Sequence, residues 1–182
     1  MKEQIYLIGF MGSGKSAVAK YLKKYFRAKI MEMDEMLEKN AGKPVSRIFA
    51  EDGEKVFREM ETDLLRRIGS MGPVVVSCGG GVPMRQENVR LMKEHGTVIF
   101  LQASPHTIYD RVKSRHDRPL LEGHMNPEYI GSLMEKRRPA YEAAADLVIS
   151  VDGKSLGEIC EELPDQLLKG VKQNGFNQKA DP

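Results

Sequence analysis

Two patterns of apolar positions alternate along the chain. Short, mostly apolar runs occur at Gln4 to Ile8, Ala28 to Met33, Val74 to Val76, Thr97 to Leu101 and Leu147 to Val151. Runs of this length without polar alternation suit strands buried on both faces. Between them the apolar residues recur at helical spacing, as in Val18, Tyr21, Leu22 and Tyr25 within Lys15 to Phe26. The same reading predicts helices over about 35–40 and 45–68, the second broken near Asp52-Gly53. Further helices are predicted over 86–95 (ending at Gly96), 107–114, 127–143 (broken by Pro139) and 155–169. Strands separated by helices imply an α/β chain: a five-stranded parallel sheet covered by helices on both faces, with right-handed crossovers. Ligands of such sheets sit beyond the carboxyl ends of the strands. Residues capable of chemistry should therefore gather just after the predicted strands.

After the first strand comes Gly9-Phe10-Met11-Gly12-Ser13-Gly14-Lys15-Ser16, which fits Gly-x-x-x-x-Gly-Lys-Ser/Thr, the phosphate-binding P-loop. Gly9, Gly12 and Gly14 let the backbone adopt positive φ and approach a ligand closely. Successive N–H groups, with the positive end of the helix from Lys15, then form an anion cradle. Lys15 can reach the β- and γ-phosphates, and the Ser16 hydroxyl can ligate Mg²⁺. A strand precedes the motif and a helix follows it. This context predicts a P-loop NTPase three-layer fold.

The other strand ends carry candidates too. Asp34 follows the second strand and could orient a substrate hydroxyl and take its proton; an Asp there also suits a helix N-cap. Glu32 would point the same way along the strand and could help position Mg²⁺ through water. Arg58 could hold a carboxylate with paired hydrogen bonds, or simply pair with Glu61 or Thr62 along its helix. Gly79-Gly80-Gly81 after the third strand suggests close approach of a ligand or backbone. Arg111, Arg115 and Arg118, followed by Pro119, read as a mobile cover whose arginines meet a transferring phosphate, or as a solvated basic helix. Arg137-Arg138 has the same ambiguity. His95, His106, His116 and His124 lack metal-ligand spacing.

Composition narrows the partners. With 182 residues, 41% hydrophobic, 30% charged and a net charge of +2, the chain reads as one globular domain with no bulk attraction for nucleic acid. No apolar run reaches the roughly 20 residues needed to cross a bilayer. Met1 leads directly into the first strand, so no signal peptide is expected. Two cysteines, Cys78 and Cys160, fit a reducing cytoplasm rather than a disulfide scaffold. Residues 171–182 read as a disordered tail behind a kinase domain spanning 1–170.

Taken together, the motifs resemble the shikimate kinase family over about residues 4–165. The resemblance rests on 9–16, Asp34, the stretch Ile48 to Glu61, the triple glycine 79–81, Arg118-Pro119-Leu120-Leu121 and Arg137-x-Pro139-x-Tyr141. It implies ATP-dependent phosphorylation of the 3-hydroxyl of shikimate, with Mg²⁺, in the pathway to chorismate and aromatic amino acids. By resemblance Gly12, Ser13, Gly14, Lys15, Ser16 and Ala17 bind the phosphates, and Arg111 and Lys154 flank adenine. Lys15 and Arg118 stabilise the transferring charge. Asp34 serves as base or orienter, Arg58 and Arg137 clamp the carboxylate with Glu61 fixing Arg58, and the glycines 79–81 contact the ring. Residues 33–61 form the acceptor-binding part and 112–124 the lid. A cytoplasmic monomer is expected. One departure is Glu32, where many members have Asp.

Two alternatives differ in specific residues. A gluconate kinase usually has His-Pro soon after the second-strand acid, and Asp34-Glu35-Met36-Leu37 has none. A nucleotide-dependent switch that binds partners would carry Asp-x-x-Gly, and no Asp in the chain has Gly three residues on.

Overall fold

The computed structural model describes residues 4–26, 28–113 and 125–171. Five strands, β1 (Gln4–Ile8), β2 (Lys29–Glu32), β3 (Val74–Ser77), β4 (Gly96–Gln102) and β5 (Leu147–Ser150), form one sheet in the order β2-β3-β1-β4-β5. Each neighbouring pair is parallel; Tyr6 of β1, for example, lies between Val76 of β3 and Val98 of β4. The chain leaves central β1 for edge strand β2, returns through β3, then crosses to the other side of β1 for β4 and β5. The carboxyl end of β1 is therefore where the winding changes sides, the crevice in which such sheets hold ligands.

Alternation along the strands divides the interior into two cores. Ile5 and Leu7 face one side with Val75, Ile99, Leu101 and Ile149. There α1 (Lys15–Phe26), α6 (Pro105–Val112) and α8 (Leu156–Val171) cover them through Val18, Leu22, Ile108, Cys160 and Leu163. Tyr6 and Ile8 face the other side with Val74, Val76, Val98 and Phe100. That face is covered by α2 (Met33–Ala41), α3 (Val45–Glu51), α4 (Gly53–Gly69) and α5 (Gln86–His95), through Leu37, Ile48, Phe57, Leu64, Leu65 and Met92. All five residues of β1 are buried, the pattern a doubly covered parallel sheet requires. Helix α7 (Pro127–Ala144) serves both cores: Ile130 belongs to the first, Tyr141 and Ala144 to the second.

The structure corrects several element boundaries. Pro139 does not break its helix: α7 runs through it to Ala144. A proline removes one backbone donor, and here the cores on either side hold both halves in line. Helix α6 starts at Pro105, two residues earlier than expected, because Ser104 caps it by accepting from the Thr107 N–H (3.3 Å). Gly96 ends α5 as expected and also opens β4, one residue earlier than predicted. It pairs with Gln4, and a Cβ there would stand 2.7 Å from the Tyr6 ring. The expected break at 52–53 is observed, with Gly53 at φ 85°, a conformation costly for other residues. Met33 is already helical, so β2 ends at Glu32.

Candidate active site

Gly9 opens the P-loop at φ 144°, and a Cβ on it would stand 2.7 Å from Leu101 O and 2.9 Å from Ser13 Oγ. Only glycine fits both the angle and the space. The loop turns on a bond from Ser13 N–H to Phe10 O (3.2 Å), so that amide points into the turn. Helix α1 starts at Lys15, leaving its first N–H groups without helical partners at the loop. Lys15 Nζ is held over the loop by Gly9 O (2.9 Å) and Phe10 O (3.0 Å). The Ser16 hydroxyl donates to Glu32 Oε2 at 3.0 Å, and Glu32 Oε1 is buried with no hydrogen-bond partner. Two hard oxygen donors beside a phosphate cradle, one with unused capacity, fit Mg²⁺, which takes few protein ligands alongside phosphates and water.

Asp34 lies in the first turn of α2 and is solvent-exposed. The N-cap position is Glu32, whose side chain makes no capping bond. The capping reading of Asp34 is therefore set aside, as is strand alternation between Glu32 and Asp34, because the strand has ended. A carboxylate in a first turn gains from the helix's positive end.

The glycine turn after β3 explains its composition sterically. None of Gly79, Gly80 and Gly81 has positive φ. A Cβ on Gly79 would stand 2.8 Å from Asp34 Oδ1 and 3.1 Å from Glu61 Oε1; on Gly81 it would overlap the Arg58 guanidinium; on Gly80 it would lie 3.5 Å from Arg137 Nη1. Side chains from three helices, α2, α4 and α7, thus converge on one bare stretch of backbone.

Arg58 is fixed from several directions. Its Nη1 donates to Glu61 (2.8 Å) and its Nη2 to Glu54 (3.0 Å), while its guanidinium lies 5.8 Å from the Phe49 ring centroid and 5.4 Å from that of Phe57. The helix pairing is therefore real, and the paired guanidinium also lies against Gly81. Glu61 is 1% exposed. Burial lifts its carboxyl above the ordinary glutamate range, the Arg58 charge pulls it back, and Asp34 pushes it up again. Arg137 stacks on Phe10 (5.7 Å). The buried Tyr141 hydroxyl donates to Gly80 O at 2.7 Å, and its ring stacks on Phe100 (5.1 Å).

On the nucleotide side, Arg111 Nη1 lies 3.3 Å from both Gly12 O and Ser13 O, and Nη2 lies 3.4 Å from Val151 O. It ties the P-loop to the chain leaving β5. Lys154 is committed to Glu162 of α8 (2.5 Å). Arg115, Arg118 and the predicted lid beyond Lys113 lie outside the described residues.

A family model described as shikimate kinase matches residues 11–168. The chain belongs to the shikimate kinase family. A shikimate kinase from Persephonella marina is 43% identical over 159 residues, spanning 87% of this chain and 95% of that protein. Among solved structures, the chain resembles shikimate kinase from Acinetobacter baumannii in complex with shikimate (TM-score 0.86, 26% identity, 92% and 93% of the two chains). It also resembles the Aquifex aeolicus shikimate kinase (TM-score 0.77, 32% identity, 94% and 99%).

Three features of this candidate site escaped the sequence reading. Phe10, a variable position of the P-loop pattern, backs Arg137. Phe49 and Phe57 flank Arg58, a contact the sequence reading did not foresee. Thr62, Asn88 and Arg85 form a buried polar cluster behind the glycine turn; a fully buried Asn gives no sequence signal unless its partners are known.

Proposed function

We infer that the chain transfers the γ-phosphoryl group of ATP to the 3-hydroxyl of shikimate, giving shikimate 3-phosphate and ADP. The observation that carries this reading is the convergence on Gly79–Gly81 of one carboxylate, Asp34, and two guanidinium groups, Arg58 and Arg137. They lie across from a lysine-bearing phosphate cradle. A small acceptor with both hydroxyl and carboxylate groups is what such a set recognises.

In the proposed mechanism Arg58 and Arg137 hold the ring carboxylate, with Glu61 and Phe10 limiting the freedom of each. The N–H and carbonyl groups of the glycine turn contact ring hydroxyls. Asp34 accepts a hydrogen bond from the 3-hydroxyl and takes its proton as that oxygen bonds to the γ-phosphorus and the bond to the β-bridging oxygen breaks. Gly12 to Ala17 and Lys15 hold the phosphates, with Arg118 adding positive charge to the transferring group and Arg111 flanking adenine. Lys154 would first have to leave Glu162 to reach a nucleotide. Ser16 directly, and Glu32 through water, would hold Mg²⁺, which neutralises charge on the phosphates when bound. The rate then comes mainly from positioning and electrostatics. We place residues 33–61 as the acceptor-binding part, 112–124 as the lid that excludes water, and the active species as a cytoplasmic monomer. Among the described residues no helix is long and apolar enough to cross a membrane.

A coupled ADP-release assay across hydroxy acids and sugars tests the reading. Turnover should appear with shikimate and not with gluconate. Asp34→Asn should retain nucleotide binding and lose roughly a hundredfold or more in turnover. ADP release from shikimate at the background rate would overturn the reading, and near-normal kcat in Asp34→Asn would remove Asp34 from the mechanism.

A further inference from the structure

Behind the glycine turn, out of contact with the reacting groups, lies a buried polar cluster that the mechanism above does not use. The Thr62 hydroxyl, 2% exposed, is 2.8 Å from Asn88 Oδ1 and 3.0 Å from Arg58 O, and Arg85 Nη1 donates to it at 3.1 Å. Asn88 has no exposed surface, and its Nδ2 donates to Val82 O at 2.9 Å. That contact fixes the amide orientation, because only the NH₂ group can face a carbonyl, which leaves Oδ1 to accept from Thr62. The cluster therefore links three pieces of chain: α4 one turn beyond Arg58, the start of α5, and the 3₁₀ turn Val82–Met84 that follows the triple glycine.

These are the two walls between which the acid would sit. Arg58 projects from α4 so close to Gly81 that a Cβ there would overlap its guanidinium. Val82, held by Asn88, closes the turn through its own N–H to Gly79 O (3.1 Å). A slip of α4 against the turn would move the Arg58 fork relative to the backbone groups facing it. Plain helix packing would tolerate such a slip; a chain of directional bonds does not. Apolar residues of similar volume would fill this space without the burial cost of an amide and a hydroxyl.

We propose that Asn88, Thr62 and Arg85 are positioning residues for acceptor recognition. They set the spacing between the Arg58 helix and the glycine turn and so tune affinity for the acid without touching it. This rests on the functional reading above. The positive end of α1 and Lys15 belong to a different part of the sheet, so the nucleotide half should not feel the change.

The test is steady-state kinetics on the full-length chain, with KM measured separately for shikimate and ATP beside Tm. Thr62→Val and Asn88→Asp should each raise the shikimate KM roughly tenfold, leaving the ATP KM within about twofold. Thr62→Ser, which keeps the hydroxyl, should restore the wild-type value. Arg85→Met, at a partly exposed position, removes one donor without opening the core; it carries the test if Thr62→Val fails to fold, and should raise the shikimate KM in the same direction. Lower Tm with an unchanged ratio of the two KM values would overturn the proposal and leave the cluster a stabilising one only. An equal rise in both would overturn it as well. Wild-type chain that does not phosphorylate shikimate would sink the functional reading itself, a result visible in the same assay and distinct from an unchanged ratio.

Discussion

Gly81→Ala should damage acceptor binding while sparing the fold. Gly81 has φ −94° and ψ −9°, angles any residue adopts, so an alanine there is not strained. The unfolded chain loses freedom, which alone would stabilise the fold by about 0.4–1 kcal/mol. The obstacle is the Arg58 guanidinium, whose Cζ would stand 2.5 Å and Nη2 2.6 Å from the new methyl. Ordinary contact needs roughly 3.5 Å, so the guanidinium must retreat by about 1 Å. That displacement breaks or weakens the 2.8 Å bond to Glu61. A hydrogen bond to a charged group contributes about 1.5–3 kcal/mol, so the loss and the alanine gain partly offset, and Tm should fall by about 1–10 °C. The fork is then misplaced for the substrate carboxylate, and losing a contact of the same kind there corresponds to a shikimate KM roughly 10- to 150-fold higher. The ATP KM should stay within about twofold, since no P-loop atom is touched. The coupled ADP-release assay, with each substrate varied at saturation of the other, reads both. A shikimate KM unmoved in folded Gly81→Ala would refute the placement of Arg58 over the acceptor.

Gly79→Ala should act on turnover instead, because its methyl would press on Asp34 Oδ1 (2.8 Å) and Glu61 Oε1 (3.1 Å); a kcat fall of roughly a hundredfold is expected, and an unaltered kcat would separate Asp34 from the reacting hydroxyl. Arg58→Ala should cost about 2–4 kcal/mol of acid binding and little of ATP binding, read by titration calorimetry with each ligand; equal losses would count against the clamp. Glu61, its carboxyl raised by burial with the Arg58 charge opposing and Asp34 adding to the rise, gives a pH signature. A carboxyl with a higher pKa folded than unfolded binds more protons in the native state between the two values, so its stabilising contribution is present below about pH 4.5 and is lost as pH rises above it. Denaturant midpoints across that range should slope downward for wild type and flatten in Glu61→Gln, and identical slopes would show that Glu61 is not the group responsible.

How much of this was legible in the sequence follows from which interactions are local. The P-loop could be read from Gly9 to Ser16 because its function lies in backbone freedom and two side chains, all within one turn. The five strands could be read because a sheet covered on both faces favours short, mostly apolar runs, as Ile5 to Ile8 of β1 show. Asp34 and Arg58 could be named as candidates, yet nothing local chose between a cap and a base, or between a surface pair and a clamp. For Asp34 the end of β2 at Glu32, one residue earlier than expected, removes the cap reading and leaves the base as a proposal. For Arg58 the pairing with Glu61 is observed, with Glu61 buried rather than at the surface, and the clamp is a proposal compatible with that pairing.

What stayed hidden was which groups approach the three glycines. Close approach of a ligand or backbone was the expectation, and Gly79, Gly80 and Gly81 have ordinary backbone angles in a turn whose lack of side chains makes room for the side chains of Asp34, Arg137 and Arg58 in that order. Those residues come from three helices separated by up to about a hundred positions, so their meeting point is a property of strand order β2-β3-β1 and of α7 crossing behind it. Here the glycines act as clearance rather than as hinges. If so, the site tolerates a change of turn conformation less well than it tolerates a change of turn composition at any position where no helix side chain arrives. Arg85, which follows the turn, donates to the Thr62 hydroxyl, so a helix side chain arrives there as well. Its contribution should be felt only through α4, whereas each glycine's is felt by direct contact.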